Sequence, residues 1–172
     1  MSIRSLWFAL LLSPTIAIAQ PRAADVATKD AIIAALYDVI SGPADSARDW
    51  PRFHHLMHPT ARLQAVTGAR TATGLRTFTP QEYAEGTGAQ LVQIGFREIE
   101  VGRHEILAGR VLHVASAYES TRERPQPGPA GRGVNSIQLL FDGTRWWIVS
   151  ILWDGSPDAS ATWPPSWMSK RD

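Results

Sequence analysis

The sequence predicts an α+β protein with a cone-shaped fold, in which a curved antiparallel sheet packs against about three N-terminal helices. Three observations predict this class. Apolar residues recur at helical spacing in the first half of the chain, they alternate with a period of two from Phe96 onward, and two late strands meet at Asp142-Gly143. Because both faces of the run after that turn are apolar, we expect the sheet to be covered on both sides and to enclose a pocket beneath the helices.

Residues 1–19 are typical of a secretory signal peptide. Arg4 precedes an apolar segment that begins at Leu6, and Ala17-Ile18-Ala19 supplies the small residues of a cleavage site. An uncleaved N-terminal anchor is the alternative. Cleavage would leave a single domain over residues 20–154 and a tail over residues 155–172 that contains Pro and Trp. We therefore expect an exported protein, periplasmic or secreted.

Charge and composition exclude several function classes. The chain has 17 Lys and Arg residues against 16 Asp and Glu residues, without a basic stripe or an acidic tail. This balance argues against a nucleic-acid partner and against electrostatic docking to a membrane. No cysteine is present, which excludes thiol catalysis, a lipid anchor on cysteine and cysteine metal ligands. We expect no cofactor, no metal and, after signal cleavage, no membrane attachment.

The first two helices are predicted from their caps and their apolar residues. Thr28 caps a helix that carries apolar residues as far as Ile40, and Ser41-Gly42-Pro43 ends it. Asp49 caps a shorter helix with proline in its first turn, where the missing N–H does no harm. His58-Pro59 ends this second helix, because proline disfavours helical backbone in the residue before it.

The third helix is predicted to begin at a capping box. Thr79 and Glu82 satisfy each other's backbone N–H groups in this motif, and proline occupies the first helical position. Gly86 and Gly88 weaken the helix by about 1 kcal/mol each relative to alanine. We therefore expect this helix to bend there or to end early.

The strands are predicted from alternation and from turn residues. Residues 61–66 form the first strand, and residues 68–78, rich in Gly, Thr and Arg, form a loop. Two longer strands follow at residues 96–106 and 111–123. A loop over residues 124–132, which contains Pro and Gly, separates them from the closing hairpin.

The closing hairpin is predicted to have a two-residue turn at Asp142-Gly143. The core face is then the more apolar one, with Asn135, Ile137, Leu139, Phe141, Trp146, Ile148, Ser150, Leu152 and Asp154. The opposite face carries Ser136, Gln138, Leu140, Arg145, Trp147, Val149, Ile151 and Trp153. A one-residue slip would exchange the faces of one strand.

Three stretches resemble the nuclear transport factor 2-like superfamily, which includes ketosteroid isomerases, scytalone dehydratases and SnoaL-type cyclases. They run from Asp49-Trp50 to His58-Pro59, from Ser116 to Ser120, and from Arg132 through the hairpin to Trp146-Trp147-Ile148. The similarity covers residues 25–154 and is to exported bacterial proteins without an assigned reaction. No stretch matches the catalytic sets of the isomerases or dehydratases, so no catalytic residue is carried over. Because the superfamily mixes enzymes, binding modules and assembly domains, its fold leaves function open.

The pocket is predicted to be lined by a set of aromatic and polar residues: Tyr37, Tyr83, Tyr118, Asn135, Ile137, Trp146, Ser150 and Asp154. Asp154 is a candidate general base and Tyr118 a candidate hydrogen-bond donor. The alternatives are that Asp154 caps a strand end at the surface, that Tyr118 and the other tyrosines are core aromatics, and that Asn135 and Ser150 bond each other.

Two further groups of residues have a functional and a structural interpretation. His54 and His58, one helical turn apart, have the spacing of two zinc ligands, but no third ligand is evident, and solvated histidines are the alternative. Arg62, Arg70 and Arg76 are candidates for holding an anion at the pocket rim, or are ordinary surface charges.

Three functions fit these predictions. The first is an exported pocket protein that binds a small apolar or amphipathic molecule. The second is an enzyme of the isomerase, dehydratase or cyclase type that uses acid–base catalysis in the pocket. The third is a homodimerisation module whose outer sheet face, with Gln138, Trp147, Val149 and Trp153, contacts a second copy; the tryptophan-containing tail is the other candidate to cover that face.

Overall fold

The structure is a computed structural model that describes residues 22–66 and 74–154. The predicted signal peptide, the tail over residues 155–172 and Arg70 lie outside the described residues. Within the described ranges, no helix is both long and apolar enough to cross a membrane.

Helices precede most of the strands, as the sequence predicts. The helices are α1 (Lys29–Ile40), α2 (Trp50–Leu56), α3 (Pro80–Glu85) and α4 (Thr87–Ile94), with a 3₁₀ turn at Ala23–Val26. The strands are β1 (Met57–Val66), β2 (Leu75–Phe78), β3 (Arg97–Ala108), β4 (Val111–Arg122), β5 (Gly128–Phe141) and β6 (Trp146–Asp154). The predicted caps are confirmed, because the side chains of Thr28, Asp49 and Thr79 each accept a backbone N–H of the first turn, and Thr79 completes its capping box with Glu82.

Several predicted boundaries are wrong, and one of them is the start of β5 at Gly128, inside the loop predicted over residues 124–132. Helix α2 ends at Leu56, and Pro59 lies inside β1, in the irregular stretch between the Met57 and Arg62 pairings, where no ladder bond needs the N–H that proline lacks. The predicted loop contains β2, which pairs antiparallel with β1. Of the β2 residues only Phe78 is buried, so that segment has no alternating pattern for the sequence to reveal.

The third predicted helix is interrupted at its first glycine, as expected. Gly86 ends α3 and begins α4, and it has no side chain that could cap the second segment. Helix α4 then ends at Gly95, whose left-handed backbone (φ 67°) favours glycine.

The six strands form one mixed sheet in the order β2-β1-β6-β5-β4-β3. Every neighbouring pair is antiparallel except β1 and β6, which run parallel, so the predicted all-antiparallel sheet is corrected at that one pair. The register shifts within β3–β4, β4–β5 and β5–β6, and such irregularities bend strands and curve the sheet. The curved α+β fold is therefore confirmed.

The core lies between the inner face of this sheet and the helices. Helix α1 buries Ile32 and Ile33 completely, and α2 does the same with Phe53. They pack with fully or almost fully buried sheet residues, among them Leu112, Val114, Ile137, Leu139 and Ile148.

A buried arginine fastens the loop between α1 and α2. The Arg48 side chain is only 7% exposed and donates hydrogen bonds to five backbone carbonyl oxygens. Four belong to Ile40 and the loop after it, and the fifth belongs to Leu91 of α4 at 3.3 Å. Arg48 thereby joins the end of α1 to α4.

The contact between Gly88 and Trp50 gives a test of the packing of α4 on α2. A Cβ atom at Gly88 would lie 2.5 Å from two ring carbons of Trp50. Alanine normally stabilises a helix by about 1 kcal/mol over glycine, whereas overpacking costs about 1–3 kcal/mol. We expect Gly88→Ala to lower the free energy of unfolding by up to about 2 kcal/mol, measured by urea denaturation.

The matched background is Trp50→Phe, which lacks the outer ring atoms that the new methyl group would meet. In that background Gly88→Ala should be neutral or stabilising. Equal losses in both backgrounds would contradict the steric explanation.

Candidate functional site

The loop that joins β5 to β6 is longer than predicted. Phe141 pairs with Trp146, so residues 142–145 form a four-residue connection rather than a two-residue turn. The Asp142 carboxylate accepts hydrogen bonds from the backbone N–H groups of Thr144 and Arg145, at 2.7 and 2.9 Å. A side chain thus closes the loop locally, as is typical of Asx turns.

One extra residue in β6 decides which of its side chains face the helices. Leu139 pairs with Ile148 and Gln138 pairs with Ser150, so Val149 is a β-bulge. The predicted faces hold up to Ile148 and are exchanged after it. Ile151 and Trp153 now face inward, opposite Ile137 and Asn135, which also face inward.

Ser150 is the predicted pocket residue that this bulge displaces. It pairs with Gln138 on the outer face of the sheet, so the predicted inward position of Ser150 is wrong. Its neighbour Leu152 is turned outward in the same way and is 39% exposed.

A cavity of about 820 Å³ lies between the inner face of the sheet and the helices. Apolar side chains from α1, α2, α4, β1 and β6 line it, among them Leu36, Phe53, Leu63, Leu91, Ile151 and Trp153. Four of the predicted pocket residues also line it: Tyr83, Tyr118, Asn135 and Asp154. An ion pair between Glu119 and Arg132, with the Arg132 Nη2 to Glu119 Oε1 distance 2.9 Å, lies at the rim.

The other predicted pocket residues do not line this cavity. Ile137 is fully buried in the core, and Trp146 packs against Phe141 with ring centroids 5.3 Å apart. Tyr37 is 6% exposed and touches the cavity only through its hydrogen bond with Asn135.

Sequence reasoning missed the most unusual polar group of the cavity, Glu98 of β3. Its Oε1 atom accepts a hydrogen bond from Asn135 Nδ2 at 3.1 Å, and its Oε2 atom has no hydrogen-bond partner among the described residues. Burial disfavours the charged carboxylate and raises the pKa of Glu98 to about 7, although the Asn135 bond acts in the opposite direction.

Glu98 was missed because β3 reverses the usual alternation. The apolar Ile99 is 59% exposed, whereas Glu98 and Glu100 face the interior. The available signal is the pair of glutamates two residues apart, which must share one face of a strand whatever that face contacts.

The Glu98 carboxyl is one end of a hydrogen-bonded chain that crosses the interior. Asn135 Nδ2 donates to Glu98 and also to Tyr37 Oη, both at 3.1 Å. The Tyr37 and Ser116 hydroxyls are 2.7 Å apart, and Ser116 Oγ donates to Glu100.

Arg103 is the last member of this hydrogen-bonded chain and lies near the surface. It holds both carboxylate oxygens of Glu100, through Nε at 2.9 Å and Nη2 at 2.6 Å. A bulge after Glu100 brings these two side chains to the same face although they are three residues apart. Arg103 also contacts Asp30 of α1 at 2.7 Å.

Two tyrosines offer hydroxyl groups to the cavity. Burial raises the pKa of Tyr118 and of Tyr83 above the ordinary value, and the Glu98 charge adds to both shifts. Both phenols therefore stay protonated at neutral pH, and neither hydroxyl has a hydrogen-bond partner within residues 22–66 and 74–154. Tyr118 lies against Gly133, where a Cβ atom would come within 2.8 Å of its hydroxyl oxygen, so glycine is needed there.

The predicted cation and metal candidates lie elsewhere. His54 and His58 do not share a helical turn, because α2 ends before His58, whose Nδ1 contacts the Thr60 hydroxyl at 2.8 Å. Among the residues that the structure describes, no three His, Asp or Glu side chains are grouped as metal ligands. Arg62 donates to backbone carbonyls, and Arg76 lies 4.6 Å above the Phe78 ring, so neither contacts the cavity.

The predicted outer face also needs correction. Trp153 faces the cavity and is absent from that face. Trp147 does lie on it, but its ring is covered by the Arg145 guanidinium at 3.6 Å and its indole N–H donates to Asp142 at 2.7 Å.

Similarity to known proteins is confined to the three-dimensional structure. No protein-family model matches the chain, and a comparison with curated proteins gives no significant match. A Mycobacterium tuberculosis protein of unknown function has a similar structure, with 14% identity and a TM-score of 0.59 over 76% of this chain and 73% of that one. A Nostoc punctiforme protein with a cystatin-like fold reaches 0.56 with 13% identity over 76% and 90% of the two chains.

Similar structures also include proteins with functional names. A Salmonella enterica protein of the nuclear transport factor 2-like superfamily has 14% identity and a TM-score of 0.53 over 70% of this chain and 83% of that one. A Streptomyces avermitilis protein provisionally named as a dehydratase of that family has 10% identity and a TM-score of 0.54 over 71% and 88%. At such identities the similarity establishes architecture, and this chain has the cystatin-like, nuclear transport factor 2-like fold.

Proposed function

We propose that the protein binds a small, mostly apolar molecule in its cavity and that Glu98 engages the polar end of that molecule. The observation that carries this proposal is the unpartnered carboxyl oxygen of Glu98 in a largely apolar wall. A polar atom on an apolar cavity wall without a protein partner needs a hydrogen bond from a ligand or from water.

The dimensions and lining of the cavity support the same conclusion. Sites for small molecules commonly enclose about 300–1,000 Å³ and combine apolar walls with a few polar groups. This cavity has about 820 Å³ and offers the Glu98 carboxyl together with the hydroxyls of Tyr83 and Tyr118. The complementary ligand is an apolar or amphipathic molecule with a hydroxyl, amine or carbonyl group at one end.

Acid–base catalysis is the second candidate function, and the pKa of Glu98 favours it. A carboxyl with a pKa of about 7 is able to accept and return a proton near neutral pH. Tyr118 is the matching hydrogen-bond donor for a carbonyl or enolate oxygen. This assignment moves the general base from Asp154, which lies at the strand end beside the cavity, to Glu98.

Export and self-association complete the proposal. The signal sequence over residues 1–19 supports export to the periplasm or beyond. A homodimer through the outer sheet face is supported by two apolar side chains exposed near the β3–β4 turn, Ile106 and Val111.

Narrowing the cavity should weaken binding of an apolar probe. Ser120 is 5% exposed and lines the cavity, whereas Ser136 lies on the outer sheet face. We expect Ser120→Phe to weaken binding of the neutral fluorophore N-phenyl-1-naphthylamine at least ~10-fold, measured by fluorescence titration. The reason is that the new phenyl ring takes space from the probe, and a tenfold weaker affinity corresponds to a loss of only about 1.4 kcal/mol of binding free energy. The matched control Ser136→Phe should bind like the wild type. Equal affinities in the two variants would place the probe outside the cavity.

The ionisation of Glu98 should make the stability of the folded chain depend on pH. Because folding raises the pKa of Glu98 from 4.5 to about 7, the native state binds the proton more tightly than the unfolded state. The free energy of unfolding should fall as pH rises from about 4.5 to 7, by up to about 3 kcal/mol. Glu98→Gln should remove this slope and be more stable than the wild type at pH 8, measured by urea denaturation across pH.

The matched control is Glu85→Gln, a change at an exposed carboxylate on α3. It should keep the wild-type slope. A slope unchanged by Glu98→Gln would show that Glu98 is not the group that titrates.

The enzyme candidate is tested with a simple unsaturated ketone. Conversion of cyclohex-3-enone to cyclohex-2-enone needs removal of a proton beside the carbonyl and its return two carbons away. If the protein catalyses this class of reaction, Glu98→Gln should abolish turnover and Tyr118→Phe should lower it about 10²-fold or more, followed by absorbance. Turnover that survives Glu98→Gln would contradict the assigned base.

A further inference from the structure

The hydrogen-bonded chain behind the cavity has a direction that follows from its chemistry. We propose that Ser116 and Glu100 are positioning residues, which fix the Asn135 side-chain amide so that an N–H, and not the amide oxygen, faces Glu98. Neither residue lines the large cavity. This inference rests on the proposed role of Glu98 in the cavity.

The direction is set at Glu100. Its two carboxylate oxygens are held by the Arg103 guanidinium at 2.9 and 2.6 Å. A carboxylate in such a pair has no proton to donate, so every other bond that it makes must be accepted. The contact between Glu100 Oε1 and Ser116 Oγ is therefore donated by the serine.

The serine proton is then committed, which fixes the next bond. A hydroxyl has one proton to donate and lone pairs with which to accept. Since Ser116 donates to Glu100, the 2.7 Å bond between Ser116 Oγ and Tyr37 Oη is donated by the tyrosine. Both hydroxyls are buried, so no bulk water competes for these protons.

The tyrosine in turn fixes the amide. Tyr37 has already used its proton, so its oxygen is an acceptor for the Asn135 group 3.1 Å away, and that group must be the N–H side. The same nitrogen carries a second hydrogen, which Asn135 donates to Glu98 Oε1, also at 3.1 Å. An ion pair at one end of the chain thus determines which amide atom meets the carboxyl at the other end.

The amide orientation matters because it acts differently on the two forms of Glu98. A donor stabilises the carboxylate, whereas an amide oxygen would stabilise the protonated acid. Tyr37 from α1, Tyr83 from α3 and Tyr118 from β4 face Glu98 and remain uncharged at neutral pH. The charged groups that line the same two cavities are Asp38 of α1, Arg97 and Glu100 of β3, Glu119 of β4, Arg132 of β5 and Asp154 of β6.

The test removes the acceptor on which Tyr37 depends. In Ser116→Ala the Tyr37 proton loses its acceptor, and rotation of the Asn135 amide by half a turn supplies a new one, its oxygen. After this rotation the Asn135 amide oxygen faces Glu98, and the N–H donor to the Glu98 carboxylate is lost. We expect the midpoint of Glu98 titration to rise by about one pH unit. Ser136→Ala, on the outer face of the neighbouring strand, should leave it unchanged.

A second variant separates this mechanism from a loss of packing. Tyr37→Phe removes the proton that would drive the amide to rotate, so the Glu98 midpoint should stay within a few tenths of the wild type, and Ser116→Ala should have no further effect in that background. Ser116→Thr keeps the hydroxyl and should retain the wild-type midpoint. If Ser116→Ala does not fold, Ser116→Cys, a weak acceptor, should shift the midpoint in the same direction by less.

The measurement is a carbon-13 NMR titration of the protein labelled on glutamate carboxyl groups, with the Glu98 signal identified by its loss in Glu98→Gln. It needs no ligand, so a failure of the cavity to bind the fluorophore would not affect it. An unchanged midpoint in folded Ser116→Ala would overturn the proposal. A shift that persists when Tyr37→Phe is also present would overturn it as well, because the chain would then not carry the effect.

Discussion

The bulge at Val149 is the constraint on which the rest of the interior depends. Without the extra residue, the end of β6 would direct Ser150 and Leu152 at the helices, and Ile151 and Trp153 would face outward. The bulge instead gives the cavity an apolar wall where the strand passes beneath α2 and α3. The parallel pairing of β6 with β1 is irregular at the same place, because its register also shifts between Ile148 and Ser150.

The polar side chains of the inner face lie on the other strands and are joined by hydrogen bonds. Strands β3 to β5 supply Glu98, Ser116 and Asn135, and α1 supplies Tyr37 to link them. A buried group of this kind is tolerated only where its members satisfy one another. In this protein one carboxyl oxygen of Glu98 is left without a protein partner at the cavity surface, and the proposed binding function depends on that atom.

Local signals in the sequence predicted a large part of this fold. The features that they missed depend on contacts between residues far apart in the sequence. Caps at Thr28, Asp49 and Thr79 depend on neighbours within one turn, so they could be read directly. The bulge at Val149 could not, because both faces of β6 are apolar and either register satisfies the pattern. Glu98 was hidden for a related reason: its inward direction depends on the partner strand and on α1.

Arg48 has a consequence for how this protein responds to acid. Ion pairs on the surface, such as Arg124 with Asp45, disappear when their carboxylates take up protons. The partners of Arg48 are peptide carbonyls, which do not titrate, and its guanidinium keeps its charge in acid. The attachment of α4 to the end of α1 is therefore insensitive to acidity. The helices above the cavity stay connected at a pH at which the surface ion pairs are lost.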